Sequence, residues 1–342
     1  MNHATMVDFL LHAQFLGQSA FIWLCFMAIV VILLVLDLGL LNRKDEVIGT
    51  KKSLIFAGFY TFLAIVFGCW MWISQGRDDG IDYFTAYLIE MSLSLDNLFV
   101  MSVVLSYFAV PRNYQHRVLF WGIIGVLVMR GLMIGFGTAL INSFSWMLFI
   151  FAGFLVITGI KMLLMKDDDE EGGGLENSKL VHFFQKHLRC TKEISGHAFF
   201  IKRPHPQTQK LVSYATPLFM ALICIEFLDV LFALDSVPAV FAITTEPFVV
   251  YTSNIFAILG LRSMYFAMAA VLERFKYMKY ALSVILIFIG AKVFYGHMPA
   301  HFQLFGKIEP LYSLAITIVL LLAGVVFSLI KTKAEQSRLE GR

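Results

Sequence analysis

The chain has 342 residues, of which 59% are hydrophobic and only 15% charged, with a mean hydropathy of +0.76. A soluble chain would carry roughly a quarter of its residues as Asp, Glu, Lys and Arg, so the composition excludes an ordinary soluble protein and predicts an all-α membrane protein. The net charge of +3 is small and comes from loops, which gives no basis for a nucleic-acid partner.

Apolar runs of about 20 residues are what a helix needs to cross hydrocarbon. They predict about nine transmembrane helices, at 20–41, 53–73, 83–108, 117–140, 145–165, 214–241, 248–272, 279–296 and 311–331. Lys and Arg crowd the connections after spans one, three, five and seven and the C-terminal tail. The opposite side holds only Arg77 and Lys307. The positive-inside rule therefore puts the N-terminus outside and the C-terminus in the cytoplasm. No Lys or Arg precedes Arg43, so the first run lacks the basic region of a secretory signal and reads as a retained span. The four cysteines (Cys25, Cys69, Cys190 and Cys224) form no close pair, and no disulfide framework is expected.

The largest loop, 166–213, opens with Asp167-Asp-Asp-Glu-Glu171 and three glycines, the composition of a solvated linker; a cytoplasmic metal-sensing patch is the competing reading. Leu180-Val181, Phe183-Phe184 and Leu188, mixed with Lys186 and Arg189, predict a short interfacial amphipathic helix. His182, His187, His197 and His205 lack tight ligand spacing and read as ordinary loop histidines.

Two acidic stretches inside apolar helices repeat each other. In span three, Glu90 precedes Asp96-Asn97 by six residues. In span six, Asp229 precedes Asp235-Ser236 by six, with Glu226 one turn earlier and Pro238 just after. The correspondence continues in order: Gly125-x4-Arg130 in span four matches Ala257-x4-Arg262 in span seven, and Gly159-Ile-Lys161 in span five matches Gly290-Ala-Lys292 in span eight. Each unit has three spans, an odd number, so the second would insert upside down. That is the inverted-topology repeat of transporters, which hold their substrate near the midplane at the repeat interface. The expected organisation is 1–82 (tail and peripheral spans), 83–165 (first repeat), 166–213 (loop), 214–296 (second repeat) and 297–342 (last span and tail).

Carboxylates in lipid are costly and are functional-site candidates by default. Glu90, Asp96, Asn97, Glu226, Asp229, Asp235 and Ser236 offer hard oxygen donors, suited to Mn²⁺, Mg²⁺ or Ca²⁺. Arg130 and Arg262 sit deep enough to serve as counter-charges, whereas Lys161 and Lys292 lie near span ends and can snorkel. Asp37 near the cytoplasmic end of span one is an entrance candidate or a plain interfacial acid. Cys224, two residues before Glu226, has no partner cysteine nearby in sequence. On a regular helix Glu90 and Asn97 share a face while Asp96 lies roughly 120° away. Either the helix breaks near Ser92–Leu95, or the two acids face different partners. Pro238 offers such a break in span six. A purely structural reading pairs Glu90, Asp96, Asp229 and Asp235 with the four basic residues.

At these positions the chain resembles the TerC/Alx family of bacterial membrane proteins. The resemblance rests on Glu90-x5-Asp96-Asn97, Tyr214-Ala-Thr-Pro217, Glu226-x2-Asp229-x5-Asp235-Ser236-Val-Pro238 and Phe256-Ala-Ile-Leu-Gly-Leu-Arg262-x2-Tyr265-Phe266, and extends over roughly 20–330. It implies a multi-pass inner-membrane protein linked to Mn²⁺ export, alkaline pH response or tellurite resistance, with a more distant similarity to LysE-type exporters. The leading expectation is a Mn²⁺ exporter coupled to protons, with no tightly bound cofactor. The alternative is a partner protein in metal or tellurite stress resistance that moves no ion and docks a cytoplasmic protein at 166–213. An enzyme is disfavoured, since the chain has no HExxH, phosphate-binding glycine loop or nucleophile–base pair.

Overall fold

The computed structural model describes residues 14–39, 50–144, 146–164, 188–191, 193–194, 196–204, 211–268, 277–297 and 309–340. Nine α-helices lie within them: α1 (Ala20–Gly39), α2 (Thr50–Ser74), α3 (Arg77–Tyr107), α4 (Arg112–Ser143), α5 (Met147–Leu164), α6 (Pro217–Phe241), α7 (Pro247–Met268), α8 (Met278–Gly296) and α9 (Pro310–Glu340). Each coincides with one segment predicted as a span. Among the described residues, six stretches are long and apolar enough to cross a membrane: Lys51–Ser74, Arg112–Ser143, Met147–Leu164, Pro217–Phe241, Met278–Gly296 and Pro310–Lys333. Ala20–Leu36 and Pro247–Leu261 are shorter apolar helices.

The outside of the bundle is more apolar than water allows. Ile73, Ile55, Phe62, Val319 and Ile330 are all exposed, while Glu90, Arg130, Asp229 and Asn254 are buried. Large contiguous apolar surface of this kind needs lipid against it.

Helices α3 and α6 cross at the centre, with α4 packed on α6 and α7 on α3, and α4 touching α7. Helix α2 lies against α7 and α3, and α9 against α3 and α8. Phe26 of α1, Phe67 of α2 and Phe248 and Phe256 of α7 form one aromatic cluster, with Phe67 and Phe256 ring centroids 4.9 Å apart.

Helices α5 and α8 form the closest-packed crossing, through two glycines. A Cβ on Gly159 would fall 2.7 Å from the Ser283 carbonyl oxygen and against Ile287. A Cβ on Gly290 would fall 2.6 Å from the Ala152 carbonyl oxygen and against Val156. Small residues let backbones approach this closely in membrane bundles.

Several expectations need correction. Helix α3 runs unbroken through Ser92–Leu95 and begins at Arg77, before the predicted span. Helix α6 runs through Pro238, which lies in its final turn, so the proline removes only its own bond to the Leu234 carbonyl. Helix α9 continues to Glu340, well beyond the predicted end of its span. The large loop contains an antiparallel hairpin, β3 (Phe200–Pro204) with β4 (Leu211–Ala215), that its composition did not announce. Both faces of β3 are largely exposed, which leaves no alternation of apolar and polar residues to read. A smaller hairpin, β1 (Gln14–Phe15) and β2 (Gln18–Ser19), precedes α1. Leu188 and Arg189 are not helical, and 180–187, with the acidic run 167–171, lie outside the described residues.

Candidate functional site

The continuity of α3 decides which side chains meet. Seven residues are close to two helical turns, so Glu90 and Asn97 project from one face of α3, and Asp229 and Ser236 from one face of α6. Both faces meet Arg130 of α4. Its Nη1 donates to a Glu90 carboxylate oxygen in a short ion pair, to Asn254 Oδ1 at 2.9 Å and to Ser236 Oγ at 3.4 Å. Its Nε and Nη2 each donate to Asp229, to Oδ2 and Oδ1, both at 3.1 Å. The planar guanidinium thus holds Asp229 in a bidentate fork while reaching across to Glu90.

Two amides close the ring. Asn97 Nδ2 donates to Asp229 Oδ1 at 3.3 Å, and Asn254 Nδ2 to Glu90 Oε2 at 3.2 Å. Six polar side chains from α3, α4, α6 and α7 are therefore joined in one network, every one at most 4% exposed. Beside it a small cleft is lined by Asn97, Asp229, Met101, Leu228 and Phe232.

Glu226 lies one turn before Asp229 on α6. Its carboxylate lies in close contact with the position a Cβ on Gly125 would occupy, with Gly122 a turn away. Glu226 Oε1 is buried and accepts no hydrogen bond among the described residues. The glycine face of α4 is what makes room for it.

Of the residues singled out in the sequence, Glu90, Asn97, Arg130, Asp229 and Ser236 come together, and Glu226 lies beside them. The side chains of Asp96, Asp235, Arg262 and Asp37 lie outside the described residues; the backbones of Asp96, Asp235 and Arg262 are helical. Among the described residues no three His, Cys, Asp or Glu side chains form a metal-binding group. Lys161 is exposed in the last turn of α5. Lys292 is in electrostatic range of Asp82 at the start of α3, away from the network. The structural reading that pairs four acids with four bases one to one is corrected in part: Arg130 alone takes both Glu90 and Asp229.

Asn254 was missed. The sequence correspondence of Arg130 with Arg262 sets Gly122 against it, so that correspondence gave no signal. The polar run Thr252-Ser253-Asn254 inside an apolar helix was the available clue. Thr252 and Ser253 fold back onto their own backbone, which leaves Asn254 to face the site.

The sequence profile described as "Integral membrane protein TerC family" matches residues 75–336. A membrane protein of Rickettsia bellii is 46% identical over 309 residues, covering 90% of this chain and 97% of the relative. One from Myxococcus xanthus is 43% identical over 312 residues, covering 91% and 93%. A protein of Salmonella typhi named Alx, described as a candidate membrane-bound redox modulator, is 42% identical over 290 residues, covering 81% and 87%. No solved structure matches the chain significantly. With its multiple apolar helices, its buried polar network on four of them and this match over most of its length, the chain belongs to the integral membrane protein TerC family.

Proposed function

We propose that this protein exports a divalent cation, Mn²⁺ foremost, from the cytoplasm in exchange for protons, with the N-terminus outside and the C-terminus inside the cytoplasmic membrane. The observation that carries the reading is a charge imbalance. Glu90, Asp229 and Glu226 converge around α6, and among the described residues one guanidinium answers them. An unbalanced buried charge is costly, and either a proton or a metal ion removes the cost. A site that needs one or the other is a site that can exchange them.

In this mechanism Arg130 stands between the repeat-related acids Glu90 and Asp229 as their resident counter-charge. Cation entry displaces the guanidinium from one or both. Asp96 and Asp235 complete a set of oxygen donors, which favours a hard cation over a soft one. Asn97 and Ser236, the residues next to them, already lie in the network. Glu226 carries the exchanged proton.

An inverted repeat of α3–α5 and α6–α8 supports alternating access around this site. The packing is reciprocal: α3 on α7 is matched by α6 on α4. At the α5–α8 crossing, Gly159 meets residues 283 and 287 while Gly290 meets 152 and 156, and the same shift relates each pair.

Asp96→Asn should abolish Mn²⁺ efflux from intact cells while membrane insertion is kept; retained efflux would remove Asp96 from the site. The competing reading, a partner protein that moves no ion, is favoured by the folded β3–β4 hairpin and its exposed Glu193–Arg203 ion pair. Deleting residues 167–177 and replacing Glu193 and Arg203 by Ala separates the two, because a transporter keeps moving metal and a protein that docks through this loop loses its role.

A further inference from the structure

Cys224 has no cysteine near it in sequence, but the fold supplies one. Cys190 lies in the loop that returns to the start of α6. It is held there by backbone bonds on both sides: Thr191 N–H donates to the Ala215 carbonyl at 2.9 Å and Ala215 N–H to the Arg189 carbonyl at 2.8 Å. Thr216 Oγ1 fixes the same crossing by donating to the Ala198 carbonyl at 2.8 Å. In this position Cys190 Sγ lies 3.3 Å from Met220 Sδ. Cys224 is one helical turn beyond Met220 on the same face of α6, fully buried, and its thiol is in electrostatic range of the Cys190 thiol. Glu226 projects about 200° away round the helix, so these sulfurs and the carboxylate network are separate places.

We propose that Cys190, Met220 and Cys224 form a binding site for a soft monovalent cation, Cu(I), at the start of α6 where Arg189–Thr191 pairs with Ala215. Two thiols and a thioether are the donors that select Cu(I) over hard cations. The ligands belong to a pinned loop and a rigid helix, so little order need be gained on binding. Cys190 is only partly buried and gives the ion a way in, whereas Met220 and Cys224 are fully covered. Cu(I) here ties the loop to α6 and gives the molecule a means of sensing a soft metal that the oxygen-lined network would not hold.

The test uses the full chain, purified in detergent under anaerobic reducing conditions and titrated with Cu(I) against bicinchoninate, with X-ray absorption on the loaded protein. The expected result is one Cu(I) per chain in a sulfur-only shell. It is lost in Cys190→Ser and in Cys224→Ser, weakened in Met220→Leu, and unchanged in Cys25→Ser/Cys69→Ser. Cys190→Ser is partly exposed and decides the matter alone if the Cys224 variant does not fold. No Cu(I) held against the chelator, a shell containing nitrogen or oxygen, or full retention in Cys190→Ser would overturn the proposal. None of these outcomes bears on Mn²⁺ transport.

Discussion

At the residue scale the molecule turns on Arg130, which is 2% exposed and is the only cation in contact with Glu90 and Asp229 among the described residues. Removing one partner of a buried ion pair costs about 3–5 kcal/mol because the other charges stay buried. Arg130→Met should therefore lower unfolding stability in detergent by that order. The triple variant Glu90→Gln/Arg130→Met/Asp229→Asn should recover most of the loss, since it leaves no uncompensated charge in the network, yet it should not transport. A triple variant as unstable as Arg130→Met would mean that the network holds the helices by shape rather than by charge balance. Gly125→Ala asks a narrower question. The added methyl meets the mobile end of the Glu226 side chain and not backbone, so stability should change little while transport falls as the carboxylate is pushed aside. Unchanged transport would release Glu226 from its role as proton carrier.

At the element scale, the α5–α8 crossing is where the packing is least forgiving. Both glycines face backbone atoms of the partner helix, so a side chain there must separate the helices. Overpacking typically costs about 1–3 kcal/mol. Gly159→Val and Gly290→Val should each lose stability of that size, and by similar amounts if the repeat is symmetric in its energetics; a loss at one position only would break that symmetry. Pro238 tests the opposite case. The helix passes through it, so Pro238→Ala should hold or raise stability by restoring a bond to the Leu234 carbonyl. If the freed carbonyl serves the cation, transport will drop although the protein is no weaker. The same scale shows what could be read beforehand. Nine apolar runs became nine helices among the described residues because hydrophobic length alone specifies such segments, and the expected repeat rests on Glu90, Asp229 and the two glycine–lysine pairs. Sharing of one arginine by two acids 139 residues apart is a tertiary fact with no local signal. For Glu90 and Asp96 the sequence leaves two alternatives, a broken helix or acids that face different partners. The helix is continuous through Ser92–Leu95, so the break is not taken, and the Asp96 side chain lies outside the described residues. The sulfur contact was hidden because Cys190 reaches Met220 only through the loop that folds back onto α6.

At the scale of the whole molecule, the proposed exchange rests on an imbalance of buried charge among the described residues, at a site between two three-helix units whose sequences correspond. The positive-inside distribution predicts an orientation: labelling of single cysteines should find the N-terminus outside and the α9 tail inside. The reverse orientation would overturn the positive-inside reading, while the proton gradient would still set the direction of the exchange. The most direct measurement is Mn²⁺ uptake into inside-out vesicles containing the purified protein, with and without a pH gradient, beside Asp235→Asn. The expected result is uptake that needs both the gradient and Asp235. Folded protein that moves no divalent cation, or that moves Mn²⁺ equally well as Asp235→Asn, would contradict it.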